Sequence, residues 1–222
     1  MMKLIIGNKN YSSWSLRPWL LLTAHGIPFE EVRIPLKTEH TKASLMTWSD
    51  AGKVPVLHED GLVVWDSLAI CEYISERYLE GRGWPEDMQH RARARACAAE
   101  MHSGFAQLRE SMTMNCRATG RRVDITPALQ SEIDRIIQLW SGLRSEFAEK
   151  GPWLFGEFSI ADCMYAPVVS RFRTYGVEVP QVCADYMAHV IASEAMALWL
   201  KQSGEEKETI PAYEVGLTPA DE

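Results

Sequence analysis

The feature that most constrains the fold is a change of periodicity partway along the chain. Up to about Leu79, short apolar runs alternate with helical ones, as a mixed α/β unit requires. Beyond Gly81-Arg82-Gly83-Trp84-Pro85, a linker by its two glycines and its proline, nearly every periodic segment is helical. The pattern predicts an α/β unit over residues 1–80, a linker over 81–88 and an all-helical unit over 89–222.

In the first unit, Leu4-Ile5-Ile6 reads as a buried strand with Gly7-Asn8 as its exit. Arg17 to Ala24 reads as a helix with Pro18 in its first turn, where a missing N–H costs nothing. Glu31 to Leu36 alternates at period two as a second strand, and Lys37 to Asp50 is loop plus an irregular helix. Val54 to His58 and Gly61 to Trp65 form a hairpin across Glu59-Asp60-Gly61, and Asp66-Ser67 caps a helix from Leu68 to Tyr78. In the second unit, Ala94, Ala98, Met101, Phe105, Leu108 and Met112 make one apolar stripe of a long helix. Further helices are expected over Pro127–Lys150, Ser159–Tyr175 and Asp185–Leu200, followed by a polar, partly irregular tail from Gly204 to Glu222.

A net charge of −7 argues against nucleic-acid or anionic-membrane partners. The N-terminal apolar stretch is too short for a signal peptide and no transmembrane span is evident, so a cytoplasmic protein is expected. Five scattered cysteines without a Cys-x-x-Cys pair, and six histidines without ligand spacing, predict free thiols, no disulfide framework and no metal. The run His90 to Arg95 reads as a solvated or interface-lining helix face.

Three stretches carry candidate chemistry. Asn10-Tyr11-Ser12-Ser13-Trp14-Ser15-Leu16-Arg17 puts three serine hydroxyls on a strand-to-helix turn, where free N–H groups and the helix dipole favour an anion. A serine there can cap the helix or donate to a bound thiolate. In Lys53-Val54-Pro55-Val56-Leu57 the proline is either an edge-strand device or a cis bond that leaves Val54 free to pair with an extended ligand. Asp66-Ser67 is either a plain cap or a clamp, Ser67 for a carboxylate and Asp66 for an ammonium, which suits an α-amino-acid terminus. Phe158-Ser159-Ile160-Ala161-Asp162 is a capping box with an aromatic staple, a folding signal with no catalytic role.

Taken together, in this order and along nearly the whole chain, these motifs resemble the cytosolic glutathione S-transferases. The Ser-Ser-x-x-x-Arg loop looks like the serine-using zeta and theta groups. The resemblance implies a thioredoxin-like domain holding glutathione, an all-helical domain lining the second-substrate pocket, and a homodimer; the helix near His90, where Ala92, Ala96 and Ala99 repeat at four and three residues, is the candidate for close packing across it. It also implies that Ser12 or Ser13 donates to the glutathione sulfur. Val54, beside a cis Pro55, would pair with the cysteinyl backbone, Asp66 and Ser67 would hold the γ-glutamyl end, and Lys53 and His40 the glycyl carboxylate. The implied activity is transfer of glutathione to a small electrophile. The alternatives are another glutathione-dependent reaction (maleylacetoacetate-type isomerisation, peroxidation or dehalogenation) or a non-catalytic binding module. Trp14 stands where the zeta pattern has cysteine, and Asp66 where the family mostly has glutamate.

Overall fold

The computed structural model describes residues 1–216; the end of the expected helical unit, 217–222, lies outside the described residues. The N-terminal domain is built from β1 (Lys3–Ile6), α1 (Ser13–Ala24), β2 (Glu30–Arg33), α2 (Thr41–Met46), β3 (Val56–Glu59), β4 (Leu62–Trp65) and α3 (Ser67–Tyr78). Its sheet runs β2-β1-β3-β4, with β2 parallel to β1 and β3 antiparallel to both β1 and β4. This is a thioredoxin-like arrangement. The central strand is the most apolar one: Leu4, Ile5 and Ile6 are fully buried, with Leu4 between Glu31 and Leu57 in register. The hairpin turns on Asp60 and Gly61, both at positive φ (48° and 88°), the twist that a two-residue Asp-Gly loop supplies. β2 ends at Arg33, short of the expected Leu36: Ile34 makes one more bond to Ile6, but Pro35 has no N–H to extend the ladder.

α1 begins four residues before the expected Arg17. The Tyr11 and Ser12 amides both turn back onto the Asn8 carbonyl, and the Ser12 carbonyl then accepts from Leu16, so the helix starts directly behind the turn. Pro18 is therefore interior, and the Trp14 carbonyl lacks its usual donor. The helix holds because it is buried on every side from Ser15 to Leu22, lying between α3 and the C-terminal helices. Each of its four enclosed leucines contributes about 1.5–3 kcal/mol.

The helical domain comprises α4 (Met88–Ser103), α5 (Ala106–Ser111), α6 (Pro127–Phe147), α7 (Ile160–Tyr175), α8 (Gln181–Ala192) and α9 (Glu194–Glu205). Two expected helices are each broken in two. The stripe from Ala94 to Met112 is interrupted at Gly104 and at Phe105, which is left-handed at φ 59°. A side chain at Gly104 would meet the Glu100 carbonyl at 2.8 Å, and Arg109 donates to the carbonyls that the break exposes, those of Met101, His102 and Gly104. All six stripe residues remain buried, which is why periodicity alone missed the break. The segment 185–200 breaks at Ser193, whose extended ψ of 141° ends α8 and whose hydroxyl donates to the Val190 carbonyl.

α7 is the axis of the domain. The capping box holds: the Ser159 amide donates to the Asp162 carboxylate at 2.9 Å. Among the described residues no helix is long and apolar enough to cross a membrane.

Candidate active site

The serine loop opens into a cavity of about 330 Å³ between the domains, lined by Ser12, Ser13, Val54, Thr113, Arg171 and Tyr213 among others. A second cavity, of about 680 Å³, holds Pro55, Asp66, Ser67 and His102. Trp14, Lys53 and Val54 belong to both, so the two form one cleft. The structure thus brings together Ser12, Ser13, Lys53, Val54, Pro55, Asp66 and Ser67. His40 is not among them: its side chain is 81% exposed, pairs with Glu39 and lines neither cavity.

Ser12 is the residue preceding α1, but its hydroxyl caps no backbone N–H; it lies 2.7 Å from the Ser15 hydroxyl. Ser15 Oγ in turn accepts from the Gly7 amide at 3.1 Å, tying the helix start to the end of β1. Ser13, the other candidate donor, is the first helical residue, and its hydroxyl accepts from Arg171 at 3.3 Å. The Val54–Pro55 bond is cis. Val54 lies two residues ahead of the first ladder pair of β3, Val56 with Trp65, and its backbone stands outside the ladder.

At Asp66-Ser67 the two residues divide the work. Asp66, at φ 82°, caps α3 through one carboxylate oxygen, which accepts from the Leu68 and Ala69 amides (2.9 and 3.2 Å). Its other oxygen lies 3.0 Å from His102 Nε2 of α4. Ser67 is buried, and its oxygen accepts from Arg17 at 3.3 Å, which leaves the hydroxyl proton free for another acceptor.

The cleft is strongly cationic in a chain of net negative charge. The guanidinium groups of Arg17 and Arg109 lie on the Trp14 ring, 4.2 and 4.6 Å from its centroid. Burial, reinforced by Arg109 and Arg171, pulls the Arg17 pKa down to about 9; burial and Arg109 pull Arg171 down to about 10. Both remain charged at neutral pH, and among the described residues neither has an ion pair. Arg17 Nε is buried without a partner. His102 is held below its ordinary value by burial, against the pull of Asp66. Among the described residues no group of three His, Cys, Asp or Glu is placed to hold a metal.

Sequence reasoning missed Arg109, Arg171, His102, Thr113 and Tyr213. One signal was present for Arg171: it follows the apolar stretch Ala166-Pro167-Val168-Val169 of α7, with only Ser170 between, and is buried there, whereas the nearby Arg173 is exposed.

Comparison with known proteins points the same way. Residues 11–77 match the glutathione S-transferase N-terminal domain and residues 124–201 the C-terminal domain of the same enzymes. A probable maleylacetoacetate isomerase from Caenorhabditis elegans is 35% identical over 97 residues, 44% of this chain and 45% of that protein, so the chain spans about half the length of this relative. A maleylpyruvate isomerase from Ralstonia sp is 26% identical over 77% of this chain and 85% of its own. Among solved structures, a glutathione transferase homolog from Burkholderia with bound glutathione superposes with a TM-score of 0.71 at 24% identity, over 92% of this chain and 99% of that one. With both domains matched in order over more than half its length, the chain belongs to the glutathione S-transferase family.

Proposed function

We propose that the chain is a glutathione transferase in which a serine hydroxyl activates the glutathione thiol for reaction with a small electrophile. The observation that carries this reading is the single cleft that holds the serine hydroxyls at the start of α1, the unpaired Val54 backbone and the Asp66-Ser67 pair. Glutathione fits the polar groups left open there. Ser67 has a hydroxyl proton to give, the buried Arg17 beside it lacks an anion, the Asp66 oxygen that faces His102 is not used by the helix cap and can also accept from an ammonium, and Val54 offers backbone groups to an extended peptide. Lys53, exposed at the rim, is the candidate for the glycyl carboxylate.

When bound, glutathione supplies the nucleophilic sulfur. Ser12 is assigned as its donor. The Gly7 amide donates to the Ser15 oxygen, and either hydroxyl of the Ser12–Ser15 pair can donate to the other; with Ser15 as the donor, the Ser12 proton is available to the cleft. A hydroxyl donor and the N-terminus of α1 favour the ionised sulfur, lowering a thiol pKa of about 8.5 by about 1–2 units. Serine is a donor here, not a nucleophile.

One observation favours a second reading within the same chemistry, isomerisation of the maleylacetoacetate type. Arg109 and Arg171 place positive charge, unmatched by a carboxylate at Arg171, at the cavity beside Ser13, which suits a substrate that is itself an unsaturated acid. The relatives named for maleylacetoacetate and maleylpyruvate isomerisation agree with it. An electrophile panel including cis-unsaturated acids, assayed with glutathione, separates the two: turnover confined to the acids selects the isomerase.

The clamp is tested by Ser67→Ala. Calorimetric titration with glutathione should give micromolar to millimolar affinity, and the variant should lose about 10- to 100-fold, the worth of a hydrogen bond to a charged group. Unchanged affinity would remove Ser67 from the site.

A cytoplasmic homodimer completes the proposal. Ala92, Ala96 and Ala99 lie exposed along α4 while Ala94 and Ala98 are buried against α7, so a small-residue face is left for a second copy. Light scattering should report twice the chain mass of 25.2 kDa, and a bulky residue at Ala96 should weaken association. A monomer at micromolar concentration would exclude the dimer.

A further inference from the structure

α9 ends at Glu205, and the segment from Glu206 to Gly216 turns back across the serine loop. The Glu206 carboxylate accepts from the Lys9 and Asn10 amides, at 2.7 and 3.1 Å. Arg117 donates to the carbonyls of Glu206 and Glu208 (2.7 and 2.8 Å) and to the Tyr11 hydroxyl (3.0 Å). The Tyr11 hydroxyl donates to Glu214, which also accepts from Asn115 at 3.0 Å and from Arg121. The Thr113 hydroxyl holds the Tyr213 carbonyl at 2.8 Å. The result is a strap whose tip is an aromatic wall: the Tyr213 ring sits 5.7 Å from the Tyr11 ring, tilted by 35°, and both line the cavity that contains Ser12 and Ser13.

We infer that Tyr213 is a specificity-determining residue for the second substrate, its ring forming with Tyr11 the wall against which a flat aromatic or conjugated electrophile packs. The inference rests on the glutathione reading above. The half-buried Tyr213 ring, backed by the buried Tyr11, rewards a planar π-system over a compact aliphatic group, and the charged ties of the strap hold that wall in place before any substrate arrives. The strap touches the loop from behind, on the side of Lys9, Asn10 and Tyr11, so Tyr213 shapes the cavity without touching the Asp66-Ser67 clamp.

The test uses S-methylglutathione and S-benzylglutathione, whose substituents project from the sulfur, with affinities measured by calorimetry on the full chain. The wild type should prefer the benzyl thioether. Tyr213→Ala should cut that preference about fivefold or more while leaving S-methyl affinity within about twofold, and Tyr213→Phe should keep it. Arg117→Ala, which loosens the strap without touching the ligand, should reduce the preference in the same direction. An unchanged benzyl-to-methyl ratio in Tyr213→Ala would overturn the inference and leave the glutathione reading standing. Equal loss of both ligands would also overturn it, since Tyr213 would then serve the fold or the glutathione site. Failure of the wild type to bind either thioether would remove the glutathione reading and this inference with it.

Discussion

Ser12→Ala should lower turnover at neutral pH by tens-fold or more, about 2 kcal/mol or above of transition-state stabilisation, while glutathione affinity changes little. The reasoning lies in the hydrogen-bond order. Gly7 donates to Ser15, and the Ser15 and Ser12 hydroxyls are 2.7 Å apart, so removing Ser12 leaves the cleft without the end of that chain. The groups proposed to hold the peptide, at Val54, Asp66 and Ser67, are untouched, which is why affinity should survive. Ser13→Ala should act differently. Its oxygen accepts from Arg171, so the expected loss falls on the positioning of that guanidinium and hence on the KM for an anionic second substrate. Steady-state kinetics in both substrates distinguish the two patterns, and a Ser12→Ala enzyme of normal turnover would strike Ser12 from the mechanism.

Asp162→Ala should destabilise the fold by about 3–5 kcal/mol, more than the 0.5–2 kcal/mol of an ordinary cap. The carboxylate is 1% exposed and accepts from the Leu154 amide (3.0 Å), the Ser159 amide and hydroxyl (2.9 and 3.1 Å) and the Tyr186 hydroxyl (3.2 Å). Alanine strands all of these donors in the interior. Burial pushes the Asp162 pKa up to about 6 from its ordinary 3.8, although the four hydrogen bonds pull the other way. The folded protein therefore holds this proton to higher pH than the unfolded chain does. The group's contribution to stability is full below about 3.8 and is lost as pH rises through about 6. Denaturant unfolding at several pH values checks both points: Asp162→Asn should flatten that stretch of the profile, and the folded fraction of Asp162→Ala should still bind glutathione. Normal stability with lost activity would move Asp162 into the active site.

What was legible in the sequence was what local chemistry encodes. The Asp60-Gly61 turn, the apolar central strand, the Ser159–Asp162 box and the Asp66-Ser67 helix start each depend on neighbours within a few residues, and each stands in the structure. The pairings between distant segments were not legible. Asp66, just after β4, meets His102 of α4 from the other domain, and Arg171 reaches Ser13 only because α7 packs against α1. The tail looked irregular because it has no periodicity, yet its carboxylates find the serine loop one by one. Helix breaks at Gly104 and Ser193 escaped because the buried face continues through the first and a single extended residue makes the second. Trp14 was visible only as a departure from a family pattern; its contact with two guanidinium groups required the fold.

The central claim is that a serine hydroxyl in this cleft stabilises the ionised sulfur of bound glutathione. The direct measurement is the ultraviolet absorbance of the thiolate in the protein–glutathione complex, titrated from pH 5 to about pH 10 in the wild type, Ser12→Ala and Ser13→Ala. A midpoint about 1–2 units below the free thiol in the wild type and in Ser13→Ala, rising back toward about 8.5 in Ser12→Ala, is the predicted result. A raised midpoint only in Ser13→Ala would transfer the role to that serine, and a midpoint that no serine variant moves would contradict serine activation altogether.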